Sequence, residues 1–177
     1  VCIAGHPKTP LTTYAGGKAS ADHALETYFQ MFGLDSFIVR PFNNYGPKQN
    51  YKGYMAGVIP ITIYRILNGL DPEIHGTGEQ SRDFIFVKDT VRSVIKLFKV
   101  MPSGESVNIS TSNQIKIGYL IKMIAKEMDF KGRIIRKQRR VADVNSHISC
   151  NKKIKSLIDF SLNPFNTALT ETIDWYI

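Results

Sequence analysis

Tyr14 and Lys18 stand four residues apart in TTYAGGKASADHALETYFQMFG, residues 12–33. On a helix that spacing puts a phenol and an ammonium on one face. A nearby positive charge favours the phenolate and draws a tyrosine down from its ordinary value of about 10, which suits it to general acid/base work. Such a pair also arises by chance, so it carries little weight alone. Gly16 and Gly17 lie between the two. Each costs a helix interior about 1 kcal/mol relative to alanine, so a close approach to this turn is expected.

The pair works only if its segment is helical and held against something else. Ala21, Leu25, Tyr28, Phe29 and Phe32 recur at helical spacing, and Gly33 sits where a glycine stop belongs. SFIVRP then reads as a short strand closed by Pro41, and FNNYGPKQNYKG as a loop dense in turn formers. GVIPITIYRILNG reads as a helix with Val58, Ile61, Tyr64, Arg65 and Leu67 in register. PEIHGTGEQSRDFIFV reads as two strands around a glycine turn. That turn, with Gly76 and Gly78, is no dinucleotide loop, because a strand and not a helix follows it.

KDTVRSVIKLFKV predicts an amphipathic helix with Asp89 as its cap and Val91, Val94, Ile95 and Phe98 on one face. SVNIS reads as a buried strand, IGYLIKMIAKEM as a helix through Ile117, Leu120, Ile121 and Ile124, and GRIIRK as a strand. NKKIKSLI and TALTETIDWYI close the chain as helices. Strands alternating with helices predict an α/β fold.

Hydrophobic residues make up 43% and charged residues 21% of the 177 positions, values of a globular chain with a real core. The longest apolar stretch, YMAGVIPITIYRILNG, is broken by Pro60 and Arg65 and falls short of the roughly 20 residues a membrane span needs. Cys2 and Cys150 are far apart, as in a reducing compartment, and His6, His23, His75 and His147 form no ligand motif, so no metal is expected. The net charge of +8 gathers in KGRIIRKQRR, residues 131–140. That run reads as a solvated face, a site for a phosphorylated ligand, or, less favoured, a nucleic-acid surface.

YAGGK, RPFNNYGPKQ, GTGEQSRDFIFVKDT and the final ETIDWY occur in an order that resembles the extended short-chain dehydrogenase/reductase family, specifically its NAD-dependent nucleotide-sugar epimerases and 4,6-dehydratases. The resemblance runs over nearly the whole chain. It implies an incomplete Rossmann-type parallel sheet with a C-terminal α/β substrate-binding lobe, divided as residues 1–50 (remaining part of the NAD-binding domain), 51–80 (lobe), 81–110 (return to the domain) and 111–177 (lobe). The chain opens downstream of the family's glycine-rich loop, so it is expected to be a C-terminal portion carrying half an active site and inactive alone.

The resemblance also implies roles. Tyr14 would handle the proton of the sugar C4 hydroxyl, and Lys18 would hold the nicotinamide ribose and tune Tyr14. Pro41 and Phe42 would pass near the nicotinamide, while Asn43 and the backbone of Val58 would contact a nucleotide-diphosphate sugar. His75 stands at an aromatic position beside the base, Arg82 and Arg140 at diphosphate positions, and Asp143 at a position for ribose hydroxyls. RVAD has Val141 where the family carries proline. A cytoplasmic homodimer through the first helix is expected, with no membrane and no nucleic-acid partner. Two other readings stay open: a sugar-nucleotide binding module without catalysis, and a basic polyanion binder.

Overall fold

The computed structural model describes residues 10, 12–53, 56–140 and 144–177. The helix of the Tyr14–Lys18 pair, α1 (Thr13–Phe32), starts at Thr12, whose hydroxyl accepts from Ala15 N at 3.1 Å. It ends at Gly33 with φ +64°, a left-handed stop that glycine adopts without strain. β1 (Ile38–Pro41) follows, then β2 (Asn43–Tyr45), a strand where the sequence predicts only loop. α2 (Val58–Leu67) leads to β3 (Glu73–His75), β4 (Ser81–Arg82) and β5 (Phe84–Phe86), so the second strand expected after the glycine turn is split at Asp83. α3 (Val87–Leu97), β6 (Ser106–Ile109), β7 (Ile115–Lys116) and α4 (Ile117–Glu127) come next. β8 (Ile135–Lys137), β9 (Ser146–His147), α5 (Lys152–Leu157) and α6 (Phe165–Tyr176) complete the order.

β1 pairs in parallel with β6, Val39 opposite Val107, so SFIVRP and SVNIS share a sheet across some 70 residues of intervening chain. β2 pairs in parallel with β5, and β3 with β8. β4 lies between β7, antiparallel, and β9, parallel. β5 divides two apolar cores because strand side chains alternate faces. Phe84 and Phe86 enter the core of Tyr45, Ile59, Ile63, Leu120, Ile124 and Leu169. Ile85, between them, enters the core of Leu97, Val107, Ile109 and Ile154.

Three helices turn otherwise than their apolar spacing predicts. α2 buries Ile59, Pro60, Thr62 and Ile63, leaving Tyr64 and Leu67 exposed. α3 buries a polar face: Thr90 donates to Asn44 Oδ1 at 2.6 Å, and Asp89 accepts from the Asn163 backbone at 2.9 Å. Asp89 is therefore no cap, and the cap position is Phe86. Val91, Ile95 and Phe98 face solvent while Val94 is half-buried, because the polar pairs fix which face meets β2. α1 has no buried residue, and Tyr28, Met31 and Phe32 are all exposed. It is tied down by Arg40, which reaches both Asp22 at 2.9 Å and Ser106 at 2.8 Å, and by the half-buried Phe29 ring against Gly104.

Gly78, at φ +81°, shows why the glycine turn is needed. A Cβ there would meet Gly118 Cα at 3.1 Å, where α4 begins and Gly118 N donates to Gly78 O at 2.9 Å. No helix among the described residues is long and apolar enough to cross a membrane.

Candidate functional site

A cavity of about 680 Å³ opens at the C-terminal ends of β1 and β2, the sheet edge at which parallel α/β folds bind ligands. Tyr14, Pro41, Phe42 and Asn43 line one stretch of its wall, and Val58, His75, Arg82 and Arg140 line others. Residues from far apart in sequence thus meet in one place. Lys18 is not among the lining residues; its ammonium lies 5.6 Å from the Tyr14 ring centre. Cys2, His6, Val141 and Asp143 lie outside the described residues.

Tyr14 sits in the first turn of α1 with 61% of its surface exposed, so its phenol is open to a ligand. A Cβ at Gly16 or Gly17 would meet nothing within 4 Å, so the expected close approach is not made by any described residue. Val58 opens α2 after Gly57, and the first-turn N–H groups of a helix have no intrahelical acceptors. Asn43 and Asn44, adjacent in β2, divide their work. Asn43 Nδ2 donates to Asp83 O at 2.7 Å, whereas Asn44 is tied back to α3 through Thr90.

Arg82 Nη1 donates to Val144 O at 2.6 Å and Ser81 O at 2.8 Å, so it pins the segment leading into β9 as well as lining the cavity. Asp83, fully buried beside it, faces the other way. Its carboxylate accepts from Thr111 N and Ser112 N at 3.0 Å each and from Thr111 Oγ1 at 2.6 Å. The basic run does not form one face. Lys131 pairs with Asp129, Arg136 donates to Thr77 O, Arg139 to Asn145, and Arg140 reaches the cavity.

Sequence reasoning passed over several lining residues. His147 stacks on Phe42 with ring centres 4.8 Å apart and an interplanar angle of 25°, and it lies opposite Arg82 in the β4–β9 pairing. Partial desolvation, then the Arg82 charge, hold its imidazole below the usual histidine range, against the pull of Asp83. Tyr45, a second tyrosine of the wall, is no acid/base candidate: burial, and then Asp89, push its phenol well above the ordinary value. Arg65 and Glu73 are paired at 3.0 Å in the same wall. Tyr45 stands inside RPFNNYGPKQ, where the resemblance gives it no role, and no motif marks the other three; the fold brings them to the wall.

Among the described lining residues stand three guanidinium groups, Arg65, Arg82 and Arg140, against one carboxylate, Glu73. Such a wall suits an anionic ligand, and Arg forks suit phosphate oxygens.

The NAD dependent epimerase/dehydratase family matches residues 2–110. The chain is 30% identical over 163 residues to a dTDP-4-dehydro-6-deoxy-D-allose reductase of Streptomyces bikiniensis, covering 92% of this chain and 50% of that protein. It is 29% identical to the dTDP-glucose 4,6-dehydratase of Salmonella typhimurium, covering 95% and 48%. The solved UDP-N-acetylglucosamine 4-epimerase of Methanobrevibacter ruminantium, in complex with UDP-N-acetylmuramic acid, superposes with a TM-score of 0.92 at 29% identity, covering 99% of this chain and 56% of that one. The chain spans about half the length of the curated relatives it matches.

Proposed function

The chain belongs to the NAD dependent epimerase/dehydratase family, and on that premise we propose that it forms the substrate-binding part of a nucleotide-sugar epimerase or dehydratase working by transient oxidation at sugar C4. The observation that carries this reading is the meeting of Tyr14, Arg82 and Arg140 in one cavity. In it, Arg82 and Arg140 hold the diphosphate, Asn43 and the first turn of α2 contact the same ligand, and His75 lies beside the base. Asp143 is assigned to ribose hydroxyls on the resemblance alone.

Tyr14 accepts the C4 hydroxyl proton as the C4 hydrogen leaves with its electron pair; in an epimerase it returns a proton when the C4 carbonyl is reduced, whereas a dehydratase keeps that carbonyl in its 4-keto product. NAD, when bound, supplies the hydride acceptor. The residues present fit its nicotinamide end: Tyr14, Pro41 and Phe42 line the cavity at the C-terminal edge of β1, and Lys18 stands on the same helix as Tyr14 to hold the ribose. In this reading residues 1–50 and 81–110 serve the cofactor side and 51–80 and 111–177 the sugar nucleotide. The test is turnover of UDP- and dTDP-hexoses with NAD by the active enzyme, read as C4-epimer or 4-keto product. Absence of either product with every such sugar contradicts the proposal.

Neither a purely binding role nor a polyanion-binding role is favoured, since Tyr14 is presented to the cavity and the basic run is dispersed among separate partners. We propose a homodimer through α1, supported by the exposed Tyr28, Met31 and Phe32. Light scattering of the Met31→Glu variant against wild type tests it, a strictly monomeric wild type refuting it.

A further inference from the structure

Glu73 is the single carboxylate among the described residues lining the cavity. Beside a diphosphate it would repel the ligand, so its place must face a part of the ligand that donates hydrogen bonds, because an ionised carboxylate only accepts. Glu73 Oε1 accepts from Arg65 Nη2 at 3.0 Å, and Oε2 lies 3.5 Å from His75 Nε2. Both partners are anchored from behind: Arg65 Nε donates to Asp71 O at 2.7 Å, and His75 Nδ1 lies 3.3 Å from Gln138 O. The carboxylate is thereby held in one orientation. Two of the five guanidinium N–H groups are engaged in these bonds, leaving others for a ligand. Glu73 and His75, two residues apart in β3, point to one face of the strand.

We propose that Glu73 and Arg65 read the imide edge of a uracil or thymine base, the N3–H donating to the Glu73 carboxylate and a flanking carbonyl accepting from the Arg65 guanidinium. This rests on the reading of the cavity as a nucleotide-diphosphate sugar site with His75 beside the base. Guanine is a poorer match. Its two adjacent N–H donors need both carboxylate oxygens side by side, and Oε1 is held by Arg65. Cytosine turns an unprotonated ring nitrogen toward the carboxylate, acceptor against acceptor. The base would thus be chosen by a side-chain ion pair in the wall, whose Glu73 stands two residues before His75, the ring that lies against the base.

Titration calorimetry of the chain with UDP, N3-methyl-UDP and CDP tests this. The N3-methyl group removes the one donor invoked and leaves the diphosphate untouched. Wild type should bind UDP more tightly than either analogue by roughly tenfold or more, the loss expected for one hydrogen bond to a charged group. In Glu73→Ala, and in the double variant Arg65→Met with Glu73→Ala that leaves no orphaned charge, UDP and N3-methyl-UDP should bind alike. Equal binding of these two by wild type overturns the inference whether or not the variants fold, as does discrimination that persists in a folded double variant. Binding of none of the three by wild type overturns the reading of the cavity itself, and the inference with it.

Discussion

Asp22 and Arg40 join α1 to the sheet through a two-pronged ion pair. Nε and Nη2 of the guanidinium both donate to Asp22 Oδ2, at 2.9 and 2.8 Å, while Nη1 donates to Ser106 Oγ at 2.8 Å. One side chain therefore ties the helix of Tyr14 and Lys18 to both strands of the β1–β6 pair. α1 fully buries none of its residues, so this polar anchor supplements the little packing that seats the helix, chiefly the Phe29 ring over Gly104.

Arg40→Met should accordingly destabilise the chain by about 1.5–3 kcal/mol, the range for hydrogen bonds to charged groups. The loss should be localised. Hydrogen exchange is expected to speed up through residues 13–32 far more than in α4, and uniform acceleration would argue against the anchor.

Asp83→Ala should be more damaging, because it leaves three buried or part-buried donors of Thr111 and Ser112 without their acceptor. A cost of about 3 kcal/mol or more is expected in urea denaturation. Asp83→Asn should recover part of it by keeping one acceptor oxygen.

Tyr14→Phe should leave stability within about 0.5 kcal/mol of wild type, since the side chain is mostly exposed. In the NAD-loaded enzyme it should lower turnover by roughly 100-fold or more with little change in sugar-nucleotide affinity. A few-fold loss in kcat would remove Tyr14 from the proton-transfer role.

Arg82→Lys and Arg140→Lys should each weaken nucleotide-diphosphate binding, since an ammonium offers a point charge in place of a planar fork. If both hold one diphosphate, their effects in calorimetry should be non-additive. Arg82→Lys should in addition loosen the segment at Val144, visible as faster exchange there, because Nη1 also holds that carbonyl. Full affinity in either single variant removes that arginine from the site.

Alkaline stability should depend on Tyr45. Its folded value is raised above the ordinary one by burial and by Asp89, so the unfolded chain releases this proton first as pH rises. The contribution is complete below about pH 10 and declines above it. Tyr45→Phe should therefore show a shallower loss of stability between about pH 10 and 12 than wild type, and parallel curves would contradict this.

The helices at residues 13–32 and 117–127, the strands SFIVRP and SVNIS, and the residues that resemble family motifs were legible in the sequence, because apolar period, glycine stops and short motifs are local properties of a chain. Gly33 and Gly78 announce their turns before any fold is known. What faces what is not local. The apolar stripe Val91, Ile95, Phe98 reads as a core face, yet Thr90 with Asn44 and Asp89 with Asn163 turn the polar side of α3 inward, since a buried polar pair forms only when both partners arrive. Asn43–Tyr45 reads as loop until Phe84–Phe86 comes alongside to pair with it. His147 reaches Arg82 through strand pairing and stacks on Phe42, and Glu73 meets Arg65 across the turn that joins α2 to β3. These contacts span up to 105 residues of sequence, as from Phe42 to His147, and carry no periodic or motif signal. Only the closing of the chain on itself decided which side chains surround the cavity, and therefore which chemistry it holds.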